Sequence, residues 1–187
     1  FCLLPDMYYR VGSLRFDVPR RDDAMFQVMR AAMNSLTNAM VMDDTAGLIA
    51  YLDSQEKGKP GPLGCVGYCM SGQHITNAAA LFPHRIAAAA SLYGVGIITD
   101  KEDSPHLLLD RIKGELYYAF AETDQSVPAH IPGDLKKALD RVDAKYELKV
   151  FPGTAHGFAF PERPVYNTAA AEETWDKMFA MWERTLK

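Results

Sequence analysis

Gly64-Cys65-Val66-Gly67-Tyr68-Cys69-Met70-Ser71-Gly72-Gln73 reads as a buried apolar strand that runs into a tight turn and at once into a helix beginning near Ser71. Cys69 stands at the turn. A nucleophile elbow has this form, because a strained strand-to-helix turn needs small residues on both sides of the nucleophile, and Gly67 and Ser71 fill those positions. The thiolate is the attacking form of cysteine, and both the positive end of the following helix and any base within hydrogen-bond reach favour it. Cysteine is also among the most often buried residues, so an inert thiol in a packed strand-turn-helix is the competing reading. An acid and a histidine further along the chain would decide between the two.

Outward from the elbow, strands alternate with helices. Downstream, Pro83 breaks the elbow helix, Ile86 to Tyr93 gives a wholly apolar strand, and Gly94-Val95-Gly96 ends it. Ser104-Pro105 begins a short helical segment through Leu107, Leu108 and Ile112, and Glu115 to Ala121 is a strand ending in Glu122-Thr123-Asp124. A helix from Gly133 to Val142 leads to a strand from Tyr146 to Phe151 and the loop Pro152-Gly153-Thr154-Ala155-His156-Gly157-Phe158. The last helix carries Trp175, Met178, Phe179, Trp182 and Leu186 on one face.

Upstream, the polar run from Ser54 to Pro62 links the elbow strand to a helix through Leu48, Ile49 and Leu52, opened by Asp43-Asp44-Thr45. Before it, Asp22-Asp23 start a helix whose apolar positions Met25, Val28, Met29, Ala32, Met33, Leu36 and Met40 fall at helical spacing and predict core packing. Tyr8-Tyr9-Arg10, Gly12, Pro19 and Arg20-Arg21 lie in a polar surface loop. The chain opens on an apparent strand, Phe1-Cys2-Leu3-Leu4, with no earlier strand to pair with, which predicts an N-terminally incomplete domain. The pattern is that of a single α/β domain over residues 1–187 with a mainly parallel sheet, because continuous apolar strands are buried on both faces by helices.

With 48% hydrophobic and 24% charged residues among 187, the composition is that of one soluble globular domain. A net charge of −4 without a basic run longer than Arg20-Arg21 argues against nucleic acid as a partner. Without a bilayer-length apolar run or a signal-peptide pattern, the expected location is cytoplasmic and no membrane partner is expected. Three cysteines, Cys2, Cys65 and Cys69, fit neither a disulfide framework nor a zinc site, and Cys2 and Cys65 are expected to be inert core residues. His74, His84, His106 and His130 show no metal-ligand spacing, so neither metal nor cofactor is expected.

In open parallel sheets, sites form at the carboxyl ends of strands. Cys69, Asp124 and His156 each follow a strand, and nucleophile, acid, histidine is the order used by α/β-hydrolases. The chemistry assigns Cys69 as nucleophile, His156 as its base and later the acid for the leaving group, and Asp124 as the residue that orients the imidazole. The backbone N–H of Met70 is the expected first oxyanion donor, with the second expected from a loop upstream of Phe1.

Leu4-Pro5-Asp6-Met7-Tyr8-Tyr9-Arg10, Val66-Gly67-Tyr68-Cys69-Met70-Ser71-Gly72, Ser91-Leu92-Tyr93-Gly94-Val95, Ala121-Glu122-Thr123-Asp124 and Pro152 to Phe158 together resemble the dienelactone hydrolase family. That resemblance implies an α/β-hydrolase fold with helices on both faces of the sheet, here lacking the family's N-terminal strands. It implies a Cys-Asp-His triad acting on lactone or ester bonds, Arg10 as a substrate-carboxylate ligand, and Tyr93 as a pocket residue. Ser71 replaces the elbow's usual glycine, and Phe160 stands in the pocket where dienelactone-specific members carry a second arginine. The implied function is hydrolysis of a small activated ester or lactone, one bearing a carboxylate if Arg10 faces the pocket, and a monomer or homodimer is expected. The alternatives are an inactive binding or interaction protein of the same fold and a redox-sensing thiol at Cys69.

Overall fold

The structure is a computed structural model that describes residues 1–20, 22–58 and 61–187. Arg21 of the basic pair and Lys59-Pro60 of the predicted linker lie outside the described residues. Two compact units are present, Phe1–Pro60 and Gly61–Lys187.

The first unit holds a 3-10 turn, Val18–Arg20, and two helices, α1 (Asp23–Asn34) and α2 (Asn38–Ser54). Asp22 caps α1 by accepting from the Met25 N–H at 2.7 Å. The single helix expected from Asp22 to Met40 is broken after Asn34. There the Ser35 hydroxyl donates to Ala32 O at 2.7 Å, and Thr37 caps a new helix by accepting from the Met40 N–H. Such side-chain bonds offer the backbone an alternative to continuing the helix. Asp43-Asp44 therefore lie inside α2 instead of opening a helix. Asp44 accepts from the Arg10 guanidinium at 2.5 and 2.8 Å and from the Tyr9 hydroxyl at 2.9 Å. The Arg10 bond is the main cause that holds this carboxyl below the usual range.

The expected strand at residues 1–4 is not formed: no partner strand pairs with it among the described residues, and Phe1 and Leu4 are 72% and 95% exposed. Cys2 is accordingly exposed and not a core residue.

The second unit is a four-stranded parallel sheet in the order β1 (Leu63–Tyr68), β2 (Ile86–Leu92), β3 (Glu115–Thr123), β4 (Tyr146–Ala155). Between the strands run α3 (Ser71–Leu81), a 3-10 segment at Pro105–Arg111 and α4 (Ile131–Arg141), and α5 (Thr168–Thr185) follows β4. Alternation along β3 divides the core in two. Leu116, Tyr118 and Phe120 pack with Ile75 and Ala79 of α3 and with Leu135 and Leu139 of α4. Tyr117, Ala119 and Ala121 pack on the opposite face with Ala170, Ala171, Met178 and Met181 of α5. Each large side chain so buried contributes about 1.5–3 kcal/mol. In β2 the alanines 88–90, at most 1% exposed, let helices approach both faces closely.

One boundary and one buried face differ from the sequence reading. β4 continues past Phe151 to Ala155 through a register shift opposite Ala121 and Thr123. Gly153 takes φ +69 there and donates its N–H to Glu122 at 2.9 Å, so the bulge absorbs Pro152 and keeps the strand paired. In α5 the buried stripe is Ala170, Ala171, Thr174, Met178 and Met181, whereas Phe179 is 50% exposed.

Candidate active site

Each strand of the sheet ends one residue before a side chain of interest. Cys69 follows β1, Tyr93 follows β2, Asp124 follows β3 and His156 follows β4. With all strands parallel, the register carries the four to one edge of the sheet.

Cys69 has φ +52, a left-handed conformation that is rare outside glycine and stores strain. The turn is held by three backbone bonds: Cys69 N–H to Leu92 O at 3.2 Å, Gly72 N–H to Cys69 O at 3.0 Å and Val95 N–H to Cys69 O at 2.8 Å. Gly67 is required, since a Cβ there would fall 2.5 Å from the Ser71 carbonyl oxygen and 2.8 Å from Ile75 Cγ2. A Cβ on Gly72 would fall 2.4 Å from Gly94 Cα, so the start of α3 touches the loop after β2. Met70 is the N-cap residue of α3, which aims the positive end of that helix at the elbow.

His156 lies with Nδ1 2.7 Å from Asp124 Oδ2, and the two side chains are 18% and 3% exposed. A carboxylate only accepts, so Nδ1 is the donor and Nε2 is left for another partner. The second carboxylate oxygen of Asp124 accepts from the Ser126 N–H at 2.8 Å, which fixes the acid from both sides. Burial opposes charge on His156, but hydrogen bonds to Asp124 and Cys69 outweigh it and raise the imidazole to about 9. The structure thus brings Cys69, Asp124 and His156 to one edge of the sheet.

Tyr93, with φ +40 and 1% exposure, is packed under the histidine, its ring centroid 5.0 Å from the imidazole, edge to face. Burial pushes its phenol above the usual range. Phe160 is 37% exposed and leans on Tyr68 at 5.0 Å and Tyr93 at 6.5 Å. Tyr68, which the sequence reading passed over, continues this aromatic shelf to Trp175 at 6.2 Å. Its place immediately before the nucleophile, with its strand neighbours alternating in direction, is the signal that marks it.

A Cβ on Gly157, at φ +91, would fall 2.1 Å from Arg163 Nη1, so the guanidinium lies directly against the residue after His156. Arg10 belongs to the other unit, where Asp44 holds it. Cys65 is half-buried, and desolvation pushes its thiol up to about 12. His74, 5% exposed, is pushed down to about 4 by burial. Among the described residues no cluster of three or more His, Cys, Asp or Glu side chains could hold a metal ion, and no helix is long and apolar enough to cross a membrane.

A profile of the dienelactone hydrolase family matches residues 1–186. A Synechocystis protein named as a candidate carboxymethylenebutenolidase is 29% identical over 161 residues, covering 84% of this chain and 65% of that protein. A carboxymethylenebutenolidase homolog of Rattus norvegicus is 31% identical over 162 residues, covering 86% and 60%. The chain therefore spans less than two thirds of the length of these curated relatives. Among solved structures, a candidate dienelactone hydrolase from Klebsiella pneumoniae superposes with a TM-score of 0.81 at 22% identity, covering 96% of this chain and 73% of the other. That likeness shows an α/β-hydrolase fold.

Proposed function

The chain belongs to the dienelactone hydrolase family, and from that footing we propose that it hydrolyses a small activated ester or lactone through Cys69, His156 and Asp124. The observation that carries the proposal is the 2.7 Å contact between His156 and Asp124 beside a strained Cys69 that acts on the same imidazole.

In this reading the Cys69 proton passes to His156 Nε2, and the thiolate attacks the carbonyl carbon. The oxyanion takes a hydrogen bond from the Met70 N–H at the head of α3. As the tetrahedral intermediate collapses, the imidazolium gives its proton to the departing alkoxide, leaving an acyl-cysteine. Water then attacks the acyl carbon as His156 takes its proton, and that proton returns to the thiolate on release of the acid. Asp124 holds the imidazole in one tautomer and stabilises its charged form throughout. An enolate or other good leaving group suits a thiolate nucleophile, and the exposed ring of Phe160, backed by Tyr68 and the buried Tyr93, favours a flat, largely apolar substrate body.

The test compares turnover of p-nitrophenyl acetate and of an enol lactone by the chain, by Cys69→Ser and by His156→Ala, with mass-spectrometric trapping of the acyl adduct. Turnover and an adduct on Cys69 that both variants lose are expected. Equal rates in all three proteins would overturn the proposal.

A further inference from the structure

Between the last pairs of β3 and β4 the register slips. Ala121 lies opposite Phe151 and Thr123 opposite Ala155, so the single residue Glu122 faces Pro152, Gly153 and Thr154. In an unbroken ladder Thr154 would stand opposite Asp124, and His156 would lie further on by roughly 6–7 Å of strand. With the bulge, Asp124 and His156 each follow directly on the matched pair of Thr123 and Ala155, and they meet at 2.7 Å. The contact between acid and histidine is therefore made by the bulge.

Three hydrogen bonds close the bulge, and Glu122 takes part in two of them. Its carboxylate accepts from the Gly153 N–H at 2.9 Å, and its own N–H donates to Thr154 Oγ1 at 3.4 Å. The Thr154 hydroxyl in turn donates to Phe151 O at 2.7 Å. Pro152 has no N–H to give to a ladder. Gly153 is left-handed, and a Cβ there would meet nothing within 4 Å, so the backbone conformation and not crowding calls for glycine. Residues looped out of a ladder in this way need side-chain partners, and bulges beside active sites serve to re-aim a side chain. We propose that Glu122 is a positioning residue for His156: by holding the Gly153 N–H it fixes the bulge that brings the imidazole level with Asp124. Its effect on turnover rests on the hydrolase reading above; its hold on the imidazole rests on the geometry.

The test follows the His156 imidazole by NMR titration of ring-labelled protein, together with kcat for p-nitrophenyl acetate. It compares the unaltered chain with Glu122→Ala, Glu122→Gln and Thr154→Val, each at a temperature where circular dichroism shows it folded. In Glu122→Ala the His156 midpoint is expected to fall by at least about half a pH unit, because the bond to Asp124 that helps to raise it is loosened. The same variant should lose roughly five- to twentyfold in kcat with KM little changed. Glu122→Gln keeps a side-chain oxygen that can accept from Gly153 and should stay within about twofold of the unaltered chain. Thr154→Val removes the other two bonds without altering any charge and should resemble Glu122→Ala. A His156 midpoint in Glu122→Ala that matches the unaltered chain overturns the proposal. So does an equal fall in Glu122→Gln, which would report the field of the carboxylate and not the bulge. Failure of the hydrolase reading would show separately, as His156 midpoints that shift as expected in a chain that turns over no ester even when unaltered.

Discussion

His156 Nδ1 and Asp124 Oδ2 lie 2.7 Å apart although their residues are far apart in sequence, and the other oxygen of Asp124 is tied to the Ser126 N–H. The acid is thereby fixed before the imidazole meets it, and one ring orientation is selected. Asp124→Asn keeps the shape of this contact but can offer an N–H where Nδ1 needs an acceptor, which favours the wrong tautomer. Steady-state hydrolysis of p-nitrophenyl acetate should show kcat reduced on the order of 10³–10⁴-fold, with the circular dichroism spectrum unchanged. A loss of less than tenfold would mean that the aspartate is only a turn residue.

The raised imidazole predicts an alkaline limb. Burial opposes the charge, the bonds to Asp124 and Cys69 favour it, and the outcome lies above the ordinary 6.5, at about 9. The imidazolium that protonates the leaving oxygen, His156 holding the proton given up by Cys69, is therefore favoured through neutral pH and lost as pH rises through about 9, so kcat/KM for an ester with a poor leaving group should fall there. Stability follows the same sign. The folded value exceeds the unfolded one, so the contribution is complete below 6.5 and lost on the way to 9, with a ceiling on the order of 3 kcal/mol. Urea unfolding at pH 6 and pH 9.5 measures it, and His156→Ala should abolish the difference.

The cysteines should separate by environment. Desolvation pushes the Cys65 thiol up to about 12, so at pH 8 it is almost wholly protonated and inert. Timed alkylation with iodoacetamide, read by peptide mass spectrometry, should modify Cys69 and the exposed Cys2 while Cys65 stays unlabelled until the protein is unfolded. Labelling of native Cys65 at a rate near that of Cys2 would contradict this assignment.

The parallel sheet was legible because continuous apolar strands and glycine-marked turns are local signals: the strand expected over Ile86 to Tyr93 forms over Ile86 to Leu92, and a strand-turn-helix forms around Cys69. The first helix was misjudged because its apolar spacing runs on past Asn34, while the break is made by Ser35 and Thr37 side chains that compete for the backbone. Phe1 to Leu4 has strand-like composition, but a strand exists only through a partner, and composition does not reveal one. Arg163 was invisible for another reason. Its contact with Gly157 is a fact of three-dimensional placement that no neighbouring residue in the sequence signals.

The elbow's glycines give the last prediction, which concerns stability as much as catalysis. A methyl group on Gly72 would lie 2.4 Å from Gly94 Cα and 2.7 Å from the buried Ser91 Oγ, and the first of these is backbone that cannot swing aside. Gly72→Ala must push the start of α3 away from the loop after β2, and Cys69 hangs between them through its bonds to Gly72, Val95 and Leu92. Overpacking of this kind costs about 1–3 kcal/mol, which for the whole chain is a drop of several degrees in Tm. Activity should fall further than stability alone explains, since the displaced helix carries the Met70 N–H with it. At a temperature where the variant is still fully folded, kcat for p-nitrophenyl acetate should be down at least tenfold with KM little changed, as expected when an interaction made only in the transition state is weakened. Gly47→Ala, in the interior of α2 where a Cβ meets nothing within 4 Å, serves as the control: it should leave kcat unchanged and Tm unchanged or slightly raised, since alanine favours the helix by about 0.5–1 kcal/mol.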